Sequence, residues 1–188
     1  MTPWELPVSL DVGGSSWNIR ADFRAILDIL RYFNDPNYDT EEKWLICLDI
    51  LYVNFSDMPR ILWKEAGEKA IEFIDMGITD DGKQKPHLMD WGQDATVIIP
   101  AVNKVIGRDV RSVPNGELHW WTFLGAYMEI GDSLFAQVLN IRQKKAKHKK
   151  LDKSEQQWYQ ENRNLVDLKK KYTDEEVKQQ QNMMKWLD

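Results

Sequence analysis

Residues 117–150 read ELHWWTFLGAYMEIGDSLFAQVLNIRQKKAKHKK, a stretch that begins as the most apolar part of the chain and ends as the most basic. At 3.6 residues per turn, apolar side chains cover all but one narrow stripe of a helix over residues 118–130. Gly131 permits that helix to end, and Asp132 or Ser133 can cap a second one. The pattern therefore predicts two consecutive helices, the first of them buried on most of its circumference.

The large apolar side chains of these two helices form our predicted core. An apolar stripe at helical spacing continues through the second helix as far as Ile141. The predicted core residues are Trp120, Trp121, Phe123, Leu124, Tyr127, Leu134, Phe135 and Val138. The sequence turns basic at Arg142, so we expect the second helix to leave the body of the protein there.

Charge is unevenly distributed along the chain, although the net value is only −5. Residues 1–100 hold 9 of the 25 Lys and Arg residues and 18 of the 30 Asp and Glu residues, which leaves 16 and 12 for residues 101–188. The first part therefore carries −9 and the second +4. Such an asymmetry is more informative about partners than about the fold.

Length and composition favour a single soluble domain. The 188 residues include nine tryptophans and can bury a real core. A single cysteine, Cys47, excludes an internal disulfide and a multi-cysteine metal site, and is typical of a reducing cytosol. No apolar run approaches the ~18 residues of a membrane span, and the first residues lack the pattern of a secretion signal. We expect a cytoplasmic protein with no membrane contact and no cofactor.

Patterns of period two and period 3.6 alternate along the rest of the chain. Two short alternating runs surround Gly13-Gly14 in residues 6–20, which predicts a β-hairpin that must pack on helices. Pro100 lies inside one helical pattern and Gly107 ends it. Helices are predicted over residues 22–33, 44–55, 59–76 and 90–106.

Two further helices are predicted beyond the basic tract, because residues 152–155 and 173–176 have the spacing of capping boxes. Four apolar residues at intervals of seven form a narrow seam that can dock on a partner: Leu151, Trp158, Leu165 and Tyr172. The predicted fold class is mainly α. It comprises a helical, bundle-like domain over residues 1–141 with the N-terminal hairpin, and an extended basic and amphipathic helical arm over residues 142–188.

The basic tract over residues 142–153 is the predicted partner-binding segment, since seven bases there meet one acid. An acidic protein surface, another copy of the chain, a nucleic acid and plain solvent all fit such a tract. Nucleic acid fits less well, because no aromatic side chains alternate with the lysines to stack bases. The predicted contact residues are Arg142, Lys144, Lys145, Lys147, Lys149, Lys150, Lys153, Trp158, Leu165 and Trp186.

No part of the sequence has the arrangement of an active site. His119, beside two tryptophans, could serve as a base or a ligand, yet no second histidine or cysteine has metal spacing. The acidic pair Asp80-Asp81 lies in a predicted loop, and Gly13-Gly14 lacks a phosphate-loop lysine. We therefore predict a protein without enzymatic activity and a structural role for His119.

Four stretches resemble the bacteriophage gene-product-fifteen family of Gram-positive siphophages and prophages. They are GGSSWNIRADFRAIL at residues 13–27, IIPAVNKVIG at 98–107, LHWWTFLGAYMEIGD at 118–132 and IRQKKAKHKKLDKSEQQWYQENR at 141–163, together with Asp90-Trp91 and Asp94-Ala95. The likeness covers most of the chain. His148 stands where a small residue such as glycine is expected.

The resemblance implies a protein encoded in the phage tail module and usually taken to be a tail assembly chaperone. Such a chaperone coats the tape measure protein in the host cytoplasm while the major tail tube protein assembles around it, and it is absent from the finished virion. The implied partners are these two proteins and further copies of the chain, associated head to tail with the basic arm of one copy on the acidic body of the next. A structural tail component and a nucleic-acid-binding protein are the alternatives.

Overall fold

A computed structural model describes residues 4–78 and 86–178 of the chain. It is mainly α-helical with one N-terminal β-hairpin, which confirms the predicted fold class. The predicted contact at Trp186 and the Asp80-Asp81 loop lie outside the described residues. The elements are β1 Ser9–Val12, β2 Ser15–Asn18, α1 Phe23–Phe33, α2 Thr40–Leu51, α3 Trp63–Ile74, α4 Ala95–Ile106, α5 Trp120–Met128, α6 Leu134–Ala146, α7 Lys153–Glu161 and α8 Arg163–Val166, with 3₁₀ turns at Phe55–Asp57, Arg60–Leu62 and Val110–Ser112.

The hairpin forms because its turn is made of two glycines. β1 and β2 pair antiparallel, with Val12 opposite Ser15. The two-residue turn between them requires positive φ at both positions, which Gly13 and Gly14 adopt at 59° and 75°. A Cβ on Gly13 would lie only 2.6 Å from the side chain of Leu62. The turn therefore packs tightly against the segment that leads into α3.

Helix boundaries follow local capping groups more closely than they follow the apolar runs. α2 begins at Thr40, earlier than predicted, because Asp39 and Glu42 form a capping box. α4 begins only at Ala95, continues through Pro100 and ends at Gly107, whose φ is 80°. The predicted capping boxes at residues 152–155 and 173–176 are both present.

α5 lies at the centre of the core, as its nearly continuous apolar surface predicts. Trp120, Trp121 and Phe123 are buried. The indole N–H of Trp120 donates to the carbonyl oxygen of Ile74, and that of Trp121 to the carbonyl oxygen of Phe73, both at 2.8 Å. Those carbonyls lie in the last turn of α3, and that of Phe73 also accepts from the N–H of Met76 at 3.1 Å. The two tryptophans therefore fill the core and also cap α3.

The first residue of α6 does not belong to the core. Phe135 and Val138 are buried, and Leu124 and Tyr127 are half-buried against the core. Leu134, however, is 45% exposed, so its prediction as a core residue is wrong. A side chain in the first turn of a helix points back toward the N-terminus, here beyond the packed body.

The prediction that the second helix leaves the body of the protein at Arg142 is wrong. Arg142 is only 6% exposed, and its guanidinium pairs with the carboxylate of Asp94 at 2.7 and 2.8 Å. α8 packs back against α6, and its Val166 is buried. Residues 142–166 therefore do not form an extended arm. The basic character of Arg142 predicts exposure, whereas the carboxylate of Asp94 pairs with both terminal nitrogens of the planar guanidinium and allows its burial.

α6 ends soon after Arg142 in a Schellman motif. The N–H of Lys149 donates to the carbonyl of Lys144 at 2.8 Å, and that of His148 to the carbonyl of Lys145 at 3.0 Å. His148 occupies the left-handed position of the motif, with φ of 53°. Glycine is usual at that position, as the family resemblance also implies. The basic tract is therefore not one continuous helix.

Replacing His148 by Gly is expected to raise the free energy of unfolding by about 0.5–1 kcal/mol, because glycine adopts the left-handed region without the steric penalty of a Cβ. Urea titration at unchanged m-value measures the change. Lys147 is a matched control, since it lies one residue earlier with φ of −91° and should lose stability when replaced by Gly. A His148→Gly variant that is less stable than the parent would contradict the assignment of strain.

Candidate partner-binding cleft

Apolar side chains continue in the sequence before β1, outside the core. Within β1, alternate side chains point to the same side, and Leu10 and Val12 on this side are buried. Trp4, Leu6 and Val8 continue the alternation in the sequence, but the chain turns and bends over residues 4–8, and all three side chains are exposed, Trp4 by 94%. We call residues 4–8 the N-terminal segment. It presents apolar side chains that the described core does not cover.

The N-terminal segment borders a cleft of about 1240 Å³. Leu6, Val8 and Ile19 supply apolar lining, and α1 with the two polar residues before it that line the cleft, Arg20 and Asp22, supplies most of the polar lining. The loop before α5, with His119, contributes further polar side chains. Three parts of the chain that are distant in sequence therefore meet around this cleft.

The arginines that line the cleft are already engaged within the chain. Arg20 donates to three carbonyls at the end of α2, at 2.8–3.1 Å. Arg24 donates to two backbone carbonyls in the segment before α5, at 3.2 and 2.7 Å. Arg31 pairs with Asp28 at 3.0 Å. Among the described residues, these arginines are therefore not free to bind an anion, and the rest of the cleft lining is partly apolar and partly polar.

Backbone pairing fixes the base of the cleft. Asp22 caps α1 by accepting from Arg24, and its other carboxylate oxygen accepts from the N–H of Gly116 at 2.8 Å. The N–H of Trp120 donates to the carbonyl of Ala21 at 2.7 Å. The segments that lead into α1 and α5 are thus held side by side, and the position of the cleft depends on this junction.

His119 joins the N-terminal segment to the core. Its Nδ1 accepts from the N–H of Trp121 at 3.0 Å and so caps α5, while its Nε2 lies 2.9 Å from the carbonyl oxygen of Pro7. Because Nδ1 accepts, the neutral ring carries its proton on Nε2 and donates it to Pro7. Burial lowers the pKa of His119, and the hydrogen bond to Pro7 opposes this only in part. His119 therefore caps α5 and holds the N-terminal segment to the start of that helix.

The protein is expected to lose stability as the pH falls through the folded-state pKa of His119. That pKa is below the unfolded value of 6.5, so between the two values the unfolded state binds more protons than the folded state. The stabilisation that neutral His119 gives is therefore complete above pH 6.5 and is lost as the pH falls through the folded-state pKa. His119→Asn keeps a capping acceptor but does not titrate. Its melting temperature should fall less than that of the parent between about pH 7.5 and about pH 5. Equal losses in the two proteins would contradict this role.

The predicted contact residues of the basic tract do not come together as one binding surface. Arg142 is buried against Asp94, so its prediction as a partner contact is wrong. Lys144 donates to Glu155, and this bond lowers the pKa of that carboxyl group. Lys145 pairs with Asp167 at 2.6 Å. These three cations hold the end of α6 to the returning α7 and α8.

The remaining predicted contacts have different surroundings. Trp158 is half-buried, and Leu165 packs against the core. Four lysines are exposed around the turn between α6 and α7, with no carboxylate of the described ranges within ion-pair distance: Lys147, Lys149, Lys150 and Lys153. A role for these four lysines in binding stays a prediction.

Our sequence analysis missed the N-terminal segment as a candidate site. The hint was present, because Trp4, Leu6, Val8, Leu10 and Val12 alternate without interruption over more residues than the hairpin needs. The pattern predicts one apolar face. It does not reveal how much of that face the core covers.

Fold and cleft together define a small, mainly α-helical protein with an open cleft of mixed polar and apolar lining. The family model described as bacteriophage Gp15 protein matches residues 4–168, and the chain belongs to this family of bacteriophage proteins. The resemblance inferred from the sequence is thereby confirmed. No curated protein and no solved structure matches the chain.

Within residues 4–78 and 86–178, no helix is both long and apolar enough to cross a membrane.

Proposed function

We propose that this protein is a non-enzymatic tail assembly chaperone whose cleft binds an apolar helical segment of the tape measure protein. The exposed side chains of Leu6 and Val8, which line the cleft, are the observation that carries the proposal. Membership of a bacteriophage protein family supports a role in the bacteriophage life cycle. In this proposal the chaperone acts in the host cytoplasm, before the tail tube encloses the tape measure, and is absent from the virion.

The chemistry of the cleft suits such a partner. A long helical protein exposes an apolar stripe until its surroundings assemble, and a groove with apolar lining can receive one face of that helix. Each Å² of apolar surface removed from water on binding contributes about 25 cal/mol. Exposed apolar patches of this kind commonly mark interaction sites.

The cleft replaces the basic tract as the main proposed contact. Arg142, Lys144 and Lys145 have partners within their own chain. The four exposed lysines of the α6–α7 turn leave nucleic-acid binding as the alternative. In that case, retardation of DNA or RNA in a gel would weaken steeply with salt, because bound lysines release counterions.

Co-expression with the neighbouring tape measure protein, followed by a pull-down, tests the proposal. The parent should retain the tape measure, and Leu6→Ser with Val8→Ser should lose most of it. A matched control replaces two exposed valines away from the cleft, Val53→Ser with Val105→Ser, and should bind like the parent. A parent that fails to retain the tape measure, or a cleft variant that binds normally, would overturn the proposal.

Mass spectrometry of purified virions separates the chaperone from the alternative of a structural tail component. A chaperone is missing from the finished particle, whereas a structural component is present in fixed proportion to the tube protein. Detection in such proportion would contradict the proposed role even if the tape measure is bound.

A further inference from the structure

We infer that the exposed face of α3 pairs with the same face of a second copy around a two-fold axis. The face comprises Lys64, Glu68, Ile71 and Glu72 of α3 with Arg60 and Ile61 of the 3₁₀ turn that leads into it, and we call it the α3 face. It is separate from the cleft, so the inference goes beyond the proposed function and does not depend on it.

The α3 face has an apolar surface that the described residues do not cover. Ile61 is 89% exposed and Ile71 is 44% exposed. Both line a groove of about 690 Å³ between α2 and α3, together with Trp44 and Leu48. A Cβ on Gly67 would lie 3.8 Å from the ring of Trp44, so Trp44 gives the groove an aromatic floor where α3 has no side chain. Large apolar side chains at such a groove are typical of an interface.

The spacing of the α3 face is symmetrical about position 66. Ile61 and Ile71 lie five residues to either side of it, and Lys64 and Glu68 lie two residues to either side. In two antiparallel helices related by a two-fold axis at this level, each residue faces its mirror position on the other copy. Isoleucine then meets isoleucine and lysine meets glutamate. Each contact occurs twice.

The charges select this arrangement over the parallel one. Lys64 and Glu68 are both exposed, and neither has an ion-pair partner in the part of the chain described. A parallel pair would place lysine on lysine and glutamate on glutamate, which is repulsive. Arg60 and Glu72 lie six residues to either side of position 66, so the antiparallel arrangement places these opposite charges together as well. Glu72 also contacts Lys69 at 2.8 Å.

A second copy fits this face better than an unrelated helix. Matching of apolar and charged positions about one point is required when a surface pairs with itself. A partner of different sequence imposes no such symmetry. The arrangement of Lys64, Glu68 and the two isoleucines is therefore assigned to a homodimer.

Charge exchange tests the pairing directly with purified protein, by light scattering or sedimentation over a range of concentrations. The parent should form a dimer, and Lys64→Glu or Glu68→Lys alone should weaken it by at least about tenfold, because each places like charges opposite one another. An equimolar mixture of the two variants should dimerise again, as should the double variant. Lys104→Glu, an exposed reversal on α4, is the control and should leave the dimer intact.

Rescue by mixing separates a lost contact from a misfolded chain, since two damaged proteins would not restore each other. A parent that stays monomeric at all concentrations, or variants that mixing does not rescue, would overturn the inference. Because no tape measure protein is present, this failure is distinct from a failure of the proposed function.

Disulfide formation gives a second test. Ile61→Cys faces Ile71→Cys of the other copy, so a mixture of the two single variants should cross-link to a dimer. Either variant alone should not, because its two cysteines would lie about 15 Å apart along the helix axis. The native Cys47 does not interfere, since it is buried and its pKa is raised to about 12. Equal cross-linking of single variants and mixture would contradict the two-fold axis.

Discussion

Replacing Arg142 by Met is expected to lower the free energy of unfolding by about 3–5 kcal/mol, because it leaves a buried carboxylate without its partner. Asp94 is only 2% exposed and cannot recover its hydration in the folded state. Arg142 also donates to the carbonyls of Val166, Leu88 and Leu165, at 2.6, 2.9 and 2.8 Å. One substitution therefore removes a charge pair and three hydrogen bonds.

Lysine should not substitute well for Arg142. The guanidinium presents donors in a planar fork, and both oxygens of Asp94 accept from it while the remaining donors reach the three carbonyls. A lysine ammonium is a compact charge with three donors and cannot span these positions. Arg142→Lys is expected to be less stable than the parent but more stable than Arg142→Met, because the carboxylate keeps a counter-charge.

Arg111 provides the matched control. It also pairs with an aspartate, Asp109, at 2.6 Å, but its side chain is largely exposed, and exposed pairs contribute about 0–1 kcal/mol. Urea unfolding should therefore separate Arg142→Met clearly from Arg111→Met. Combining Arg142→Met with Asp94→Asn should recover part of the loss, since the unpaired charge is then gone. If both single variants unfold at the same urea concentration, the buried pair does not stabilise the fold as we infer.

Replacing Trp121 by Ala is expected to lower the free energy of unfolding by about 3–5 kcal/mol, through a large cavity at the centre of the core. The side chain also donates to the carbonyl of Phe73 at 2.8 Å and stacks on its ring with the centroids 6.0 Å apart. The substitution thus removes one hydrogen bond to this carbonyl in addition to the lost packing, although the carbonyl still accepts from the N–H of Met76 at 3.1 Å. Thermal or urea unfolding measures the effect.

Two further variants divide this loss into its parts. Trp121→Phe keeps much of the ring but removes the N–H, so its loss should be about 1–3 kcal/mol. Trp4→Ala removes a tryptophan that is 94% exposed and should leave stability nearly unchanged. A Trp121→Ala variant that melts like Trp4→Ala would show that the indole is not part of the core.

The features that the sequence predicts well are those coded by neighbouring residues. Gly13-Gly14 is sufficient for a two-residue hairpin turn, and Asp152 with Glu155 is sufficient for a capping box. The buried character of α5 is equally local, because apolar side chains surround it. In each case the physical cause lies within a few residues, so no knowledge of the tertiary structure is needed.

The features that the sequence hides depend on distant partners. Arg142 looks like the start of a solvated tract until Asp94, 48 residues earlier, is placed beside it. The exposure of Leu134 depends on where the packed body ends, and the cleft depends on how α1 and the N-terminal segment meet. No spacing rule within one segment contains this information.

Head-to-tail association driven by charge has less support in the structure than in the sequence, because some of the cations that it needs are paired within their own chain. It requires the cations at the end of α6 to be free for another copy, whereas Lys144 and Lys145 are paired with Glu155 and Asp167 of their own chain. The four exposed lysines of the turn are still available. The isoleucines of the α3 face supply a different, apolar route to self-association.

The returning C-terminal segment also sets an order of events during synthesis on the ribosome. Two of the carbonyls that Arg142 binds belong to Leu165 and Val166, near the end of the described chain. A nascent polypeptide that has not yet reached these residues already holds Asp94 and Leu88 but lacks two of the acceptors of the guanidinium. Full consolidation around Asp94 therefore waits for residues 165–166, even though α1 to α5 are made well before them.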